Sequence, residues 1–215
     1  MKKELFTFTL KDLTEIAIFT AMAIVADKNI KIPLAATGGS LNFSMVPIFV
    51  IALRHGPFKS FVAGGIIYGL MTCLLDGYGF NTYPLEYLVA YGSTCILGFF
   101  GANINRNYRQ GNTKGVILSN IIIVLSVALW GFIRLMVASV DSVLFYGTTF
   151  AGGIAYNATY VVPSAILDVI LLLVIVPPLM MLSRRRPSSY LKAYRKDEVK
   201  TEDVTINISN DKQDV

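Results

Sequence analysis

Six apolar stretches follow one another through the first 183 residues of this chain, at about 13–32, 43–54, 58–76, 84–103, 115–141 and 155–182. A helix needs roughly 20 mostly apolar residues to cross the hydrocarbon of a bilayer. Five of the six stretches have about that length. The second is shorter, which asks for tilt or for help from the irregular segment before it. Inside hydrocarbon a helix satisfies its own backbone polar groups and lipid replaces water around its outer face. The expected fold is therefore an all-α integral membrane protein, a bundle of about six transmembrane helices.

Composition agrees with this. Hydrophobic residues make up 54% of the chain and charged residues 15%, against about a quarter charged in an average soluble domain. Mean hydropathy is +0.58. The charges are also segregated. Residues 184–215 hold eight Lys/Arg and six Asp/Glu, leaving eleven basic and eight acidic residues for the first 183. The chain divides into a six-helix transmembrane domain, 1–183, and a polar tail, 184–215. The tail shows no sustained apolar period and is expected to be disordered. The N-terminus does not read as a cleavable signal, because Glu4 and Asp12 interrupt its start and no small-residue cleavage site follows.

Thr37-Gly38-Gly39-Ser40 marks a loop after the first stretch, and Gly56-Pro57 a tight turn between the second and third. Two polar or flexible breaks follow, 103–114 and 147–153. Basic residues give the orientation. Lys2, Lys3 and Lys11, then Arg54 and Lys59, then Arg106, Arg109 and Lys114, then Arg184, Arg185 and Arg186 occupy alternate loops and termini. The other loops carry Lys28 and Lys31. The positive-inside rule then puts both termini in the cytoplasm. Loop bases of this kind explain the net charge of +5 without nucleic acid, which is not an expected partner.

An ionisable side chain at membrane depth costs roughly 2.5–3.5 kcal/mol on insertion scales, so Glu15, Glu86, Arg134, Asp141 and Asp168 select themselves. Glu86 opens the fourth stretch, two residues after Pro84, with Tyr87 and Tyr91 close behind. Two readings stand. A carboxylate beside aromatic faces receives an organic cation through charge and cation–π attraction. A carboxylate at a helix N-terminus also simply favours the helix dipole. The sixth stretch opens Tyr156-Asn157-Ala158-Thr159-Tyr160, a run able to fix a polar ligand or to bond neighbouring helices. Arg134 either pairs with an acid, for which Asp168 is a candidate, or lines a polar cavity. Asp141, near the outer end of its helix, reads as solvated. Ala17 and Ala21, four apart, permit close helix approach, and Ala63, Gly64, Gly65 and Gly69 are assigned to packing within the fold. Cys73 and Cys95 read as packing residues. No metal motif, nucleophile elbow or phosphate-binding loop is found, so no catalytic residue, metal or cofactor is expected, and uphill transport would draw energy from a partner or an ion gradient.

Four segments in order resemble one family. They are Leu13-Thr14-Glu15-Ile16-Ala17-Ile18-Phe19-Thr20-Ala21; Gly38-Gly39-Ser40 leading to Met45-Val46-Pro47-Ile48-Phe49 and Arg54; Glu86-Tyr87-Leu88-Val89-Ala90-Tyr91; and Tyr156-Asn157 through Ser164. Over roughly residues 10–182 the chain is similar to the thiamine-specific S component of energy-coupling factor (ECF) transporters. The resemblance implies a six-helix membrane subunit that captures a vitamin from outside. It would dock on a transmembrane coupling subunit carrying two ABC-type ATPases. It assigns ligand binding to Glu86, Tyr87, Tyr156 and Asn157, and ring stacking to Tyr146 where the family has tryptophan. It assigns docking to Ala17 and Ala21, and makes the loop after the first helix a cap. The chain departs from the family at Arg134-Leu135, where an Arg-Tyr pair is usual, and at Ala138, where a histidine is usual. Thiamine or a close relative is the implied ligand. An S component for another vitamin, and a self-sufficient ion-driven secondary transporter, are the alternatives.

Overall fold

The computed structural model describes residues 6–33, 39–77 and 79–199. Helix α1 spans Leu10–Asn29. It begins with a reciprocal cap in which the Asp12 amide donates to Thr9 Oγ1 at 3.2 Å and the Thr9 amide donates to Asp12 Oδ2 at 3.3 Å, satisfying two amides that the first turn leaves without partners. A two-residue antiparallel ladder follows, β1 (Ile32–Pro33) with β2 (Ser40–Leu41). Four long helical stretches complete the bundle: α2 (Met45–Asp76), α3 (Phe80–Gln110), α4 (Thr113–Tyr146) and α5 (Phe150–Arg185). Each is long and apolar enough to cross a membrane.

Stretch α2 is two rods, not one. Gly56 sits at φ 82, ψ −179, a conformation that side-chain-bearing residues rarely adopt, and Pro57 restarts the helix where its missing N–H costs nothing. The chain doubles back there. Ile48 and Gly64, each eight residues from Gly56, face one another: a Cβ on Gly64 would meet Ile48 Cγ2 at 2.9 Å. With α1 and α3 to α5 this makes six membrane helices, the number expected. The second stretch is short because it is one arm of this hairpin.

The small residues assigned to packing have that role, and it positions the site. A Cβ on Gly64 would lie 2.8 Å from the Tyr91 carbonyl oxygen. On Gly65 it would lie 2.9 Å from that of Leu88, and on Gly69 3.2 Å from that of Tyr87. The second arm of α2 therefore rests on the backbone of α3 along the turns that carry Glu86, Tyr87 and Tyr91. Both surfaces are wound as π-helix there, over Val62–Tyr68 and Tyr83–Val89.

Buried Met45, Ile48, Phe49, Ile51, Leu97, Val127 and Trp130 form the centre of the bundle. The outer faces stay apolar, with Leu74, Phe99, Leu125, Ile166 and Val174 all exposed, as lipid contact requires. The start of α1 and the segment after α5 meet at one pole, where Lys11 Nζ donates to the carbonyl oxygen of Pro187 at 3.2 Å.

That pole corrects the expectation of a loose tail from residue 184. Helix α5 runs to Arg185, and residues 189–199 form a further helix, α6, packed across the pole. Tyr190, Leu191 and Ala193 are buried. The Tyr190 ring fits against Gly56, and its hydroxyl donates to the Gly98 carbonyl oxygen at 3.3 Å. Ser189 Oγ donates to Asp12, whose other contacts are Lys59 Nζ at 2.9 Å and His55. Ser188 Oγ donates to the Arg54 carbonyl oxygen. Glu198 pairs with Arg109 at 2.7 Å. A short apolar stripe between charged residues was enough, because the bare backbone at Gly56 receives the Tyr190 ring and the Gly98 carbonyl receives its hydroxyl. Residues 200–215 lie outside the described residues.

Candidate ligand-binding site

At the opposite pole the ends of all the long helices surround a cavity of about 460 Å³, within the usual range for a small-molecule site. The last turn of α1 brings Asp27, the end of α2 brings Asp76, and the start of α3 brings Glu86, Tyr87 and Tyr91. From α4 come Arg134, Ser142 and Tyr146, and from α5 Tyr156, Asn157 and Tyr160. Lys31, Gly39 and Ser40, from the segment after α1, with Asn42, Thr82 and Thr148, complete the wall. All five ligand-binding candidates from the sequence thus line one space.

Each is held differently. Tyr87 is buried and its hydroxyl donates to Asp76 Oδ2 at 3.0 Å, while Lys28 bridges Asp76 and Asp27. The Tyr87 ring meets the Tyr91 ring edge-on, centroids 5.7 Å apart. Asn157 is fixed at both ends: its Nδ2 donates to Ser142 Oγ at 3.1 Å and its Oδ1 accepts from the Tyr160 hydroxyl at 2.6 Å. Tyr156 meets Tyr160 edge-on at 5.9 Å. Tyr146 stands at the rim, 57% exposed. Gly39 abuts Tyr160 closely enough that a Cβ would lie 2.5 Å from Cδ1. The cap residues 34–38 are outside the described residues.

Arg134 is a cavity residue. Its guanidinium lies 5.3 Å from the Tyr91 ring centroid and 5.5 Å from that of Trp130, and Trp130 is itself anchored by donating to the Ala90 carbonyl oxygen at 2.9 Å. Arg134 and Asp168 form no ion pair within 4 Å. Asp168 is buried deeper in α5, and its Oδ1 finds no partner among the described residues. Asp141, read as solvated, is fully buried. Glu15 belongs to the other pole, where it accepts from Arg54 at 2.7 Å and pairs with His55 at 3.0 Å. His55 is buried between Glu15 and Asp12. Ala17 and Ala21 are exposed on the outer face of α1, beside exposed Ile18 and Met22.

Asp27, Asp76, Asn42 and Ser142 were not singled out from the sequence. They sit at helix ends, where polar residues are ordinary, and only the convergence of the ends makes them cavity walls. Among the described residues no group of His, Cys, Asp or Glu is arranged to hold a metal ion.

A membrane helix bundle with a partly open, polar, aromatic-lined cavity at one pole is the build of a solute-binding transport protein. The chain belongs to the Thiamine transporter protein family, whose model matches residues 13–184. It is 32% identical to thiamine transporter ThiT of Bacillus subtilis (strain 168), over 74% of this chain and 86% of that one. It also matches the solved structure of ThiT from Listeria monocytogenes, with a TM-score of 0.65, 25% identity, and coverage of 80% of this chain and 97% of that one. It is accordingly a multi-pass protein of the bacterial cell membrane. The family match stops at residue 184, so α6 lies beyond it.

Proposed function

We propose that this protein is the substrate-capture subunit of an ECF-type importer and that thiamine is its ligand. The observation that carries the reading is the setting of Glu86. Its carboxyl lines a thiamine-sized cavity beside the faces of Tyr87 and Tyr91, with Tyr156 and Asn157 across the space. A cationic thiazolium gains both charge and cation–π attraction there. The aminopyrimidine finds hydroxyl and amide groups on α5, and the Tyr146 ring offers a face at the rim. Ala138 is buried in α4 and does not contribute to the cavity wall.

Delivery is assigned to a transmembrane coupling subunit and two ABC-type ATPases, since the described residues hold no nucleotide-binding motif. The exposed small-residue face of α1 at Ala17 and Ala21 is suited to receive that subunit. The test is calorimetry on the purified protein with thiamine, its pyrimidine fragment, pyridoxine and riboflavin. Saturable binding of thiamine, weakened by Tyr146→Ala, is expected. Binding of a different vitamin with no heat from thiamine would reassign the ligand. Co-purification with ATPase subunits separates the importer from an ion-driven transporter.

A further inference from the structure

Asp141 has no role in the reading so far, yet it is the most unusually placed acid in the molecule. It is fully buried on α4. Neither side-chain oxygen receives an N–H or O–H from any described residue. Its carboxyl lies instead within hydrogen-bonding reach of the carboxyl of Glu86. A buried acid normally collects donors, and this one is turned toward a second acid at the cavity wall.

Two ionised carboxylates cannot share so small a space without a positive charge between them. The charged groups around the pair come from every neighbouring element. On α4, Arg134 faces Glu86. Its charge is also felt by Asp168 of α5, so one guanidinium is shared among several acids. From α2, Asp76 adds a negative charge toward Glu86. From α1, Asp27 is bridged to Asp76 by Lys28, and Lys31, just beyond α1, brings a further positive charge to the cavity wall. Of the neutral donors in the wall, the Tyr87 hydroxyl goes to Asp76 and the Asn157 amide to Ser142, and no donor from any described residue reaches Asp141. What remains to satisfy the pair is one proton held between the two carboxyls, or a cation.

We propose that Asp141 is a positioning residue acting through Glu86. The two form an acid pair that holds one proton when the cavity is empty and surrenders it to water when an organic cation enters. The inference rests on reading this cavity as a cation site. The exchange balances: one positive charge enters, one proton leaves, and the pair passes from a single negative charge to two, now shared with the ligand. It discriminates by charge, because a neutral ligand of the same shape leaves the proton in place and gains nothing from the second carboxylate. It also gives affinity a direction in pH. Binding releases a proton, so affinity rises with pH by about tenfold per unit while the empty pair keeps its proton, and levels off above that range.

The test uses the full-length protein in lipid nanodiscs and the isosteric Asp141→Asn variant, whose amide can donate to Glu86 and preserves the fold. Infrared difference spectra of the ligand-free proteins at neutral pH are compared first. A protonated-carboxyl band present in the wild type and lost in Asp141→Asn is expected. Identical spectra in that region would overturn the proposal, whatever ligand binds. Thiamine affinity against pH is measured second. The wild-type affinity should climb with pH and thiamine should bleach the band, while Asp141→Asn should bind with a flat profile. Equal slopes in the two proteins would also overturn it. If thiamine fails to bind but the band behaves as described, the ligand assignment falls and the acid pair stands.

Discussion

Gly39 lies against the ring of Tyr160, so close that a Cβ would sit 2.5 Å from Cδ1. The loop after α1 is thereby seated on the α5 residue whose hydroxyl holds Asn157. Gly39→Ala should lift the loop or turn the ring, releasing the Asn157 amide. Overpacking of this kind costs about 1–3 kcal/mol, or about 5- to 150-fold if it falls on ligand affinity. Stopped-flow fluorescence should show faster ligand release from the variant. An unchanged release rate would mean that the loop does not close over the site.

The start of α1 and the segment after α5 share one pole of the bundle with Arg54, Lys59 and Arg109, and the positive-inside rule puts that pole in the cytoplasm. In a variant with Cys73 and Cys95 replaced by serine, single cysteines are introduced as Ser40→Cys or Asn112→Cys. A thiol reagent confined to the outside should label the first and spare the second. The reverse pattern would invert the orientation.

Ala17→Leu with Ala21→Leu adds bulk to an exposed face of α1 without touching the cavity. Close approach of a partner helix should be blocked. ATP-driven uptake in vesicles carrying the whole importer should fall sharply, while the isolated subunit keeps its affinity. Normal uptake would move the docking face elsewhere.

Tyr190→Ala removes the ring that fills the space beside Gly56. Loss of a buried aromatic side chain costs about 3 kcal/mol or more. The melting temperature should drop while thiamine affinity holds, since α6 and the cavity are at opposite poles. A variant that melts like the wild type would show that α6 adds nothing to stability.

These expectations trace how much could be read in one dimension. The membrane bundle was legible because apolar length is a local property, and the hairpin at Gly56 because Gly-Pro announces a reversal. Glu86 stood out because an acid at the head of an apolar run has few cheap explanations. Asp141 was misjudged because its distance from the helix end said nothing of α3 packing over it. Asp27 and Asp76 were missed because polar residues at helix ends are ordinary until the ends converge. The docking of α6 depends on the space beside Gly56 and the carbonyl of Gly98, about 90 to 135 residues earlier in the chain, and no local pattern around Tyr190 reports them.

The account turns most on Glu86 as the ligand's counter-charge. Calorimetry of thiamine binding to the wild type and to Glu86→Gln measures this directly, because glutamine keeps the shape and removes the charge. Loss of a desolvated charge partner costs about 2–5 kcal/mol, so affinity should fall by about 30- to 5,000-fold with the fold intact. Equal dissociation constants in the two proteins would contradict the account and leave Glu86 as a helix-end residue.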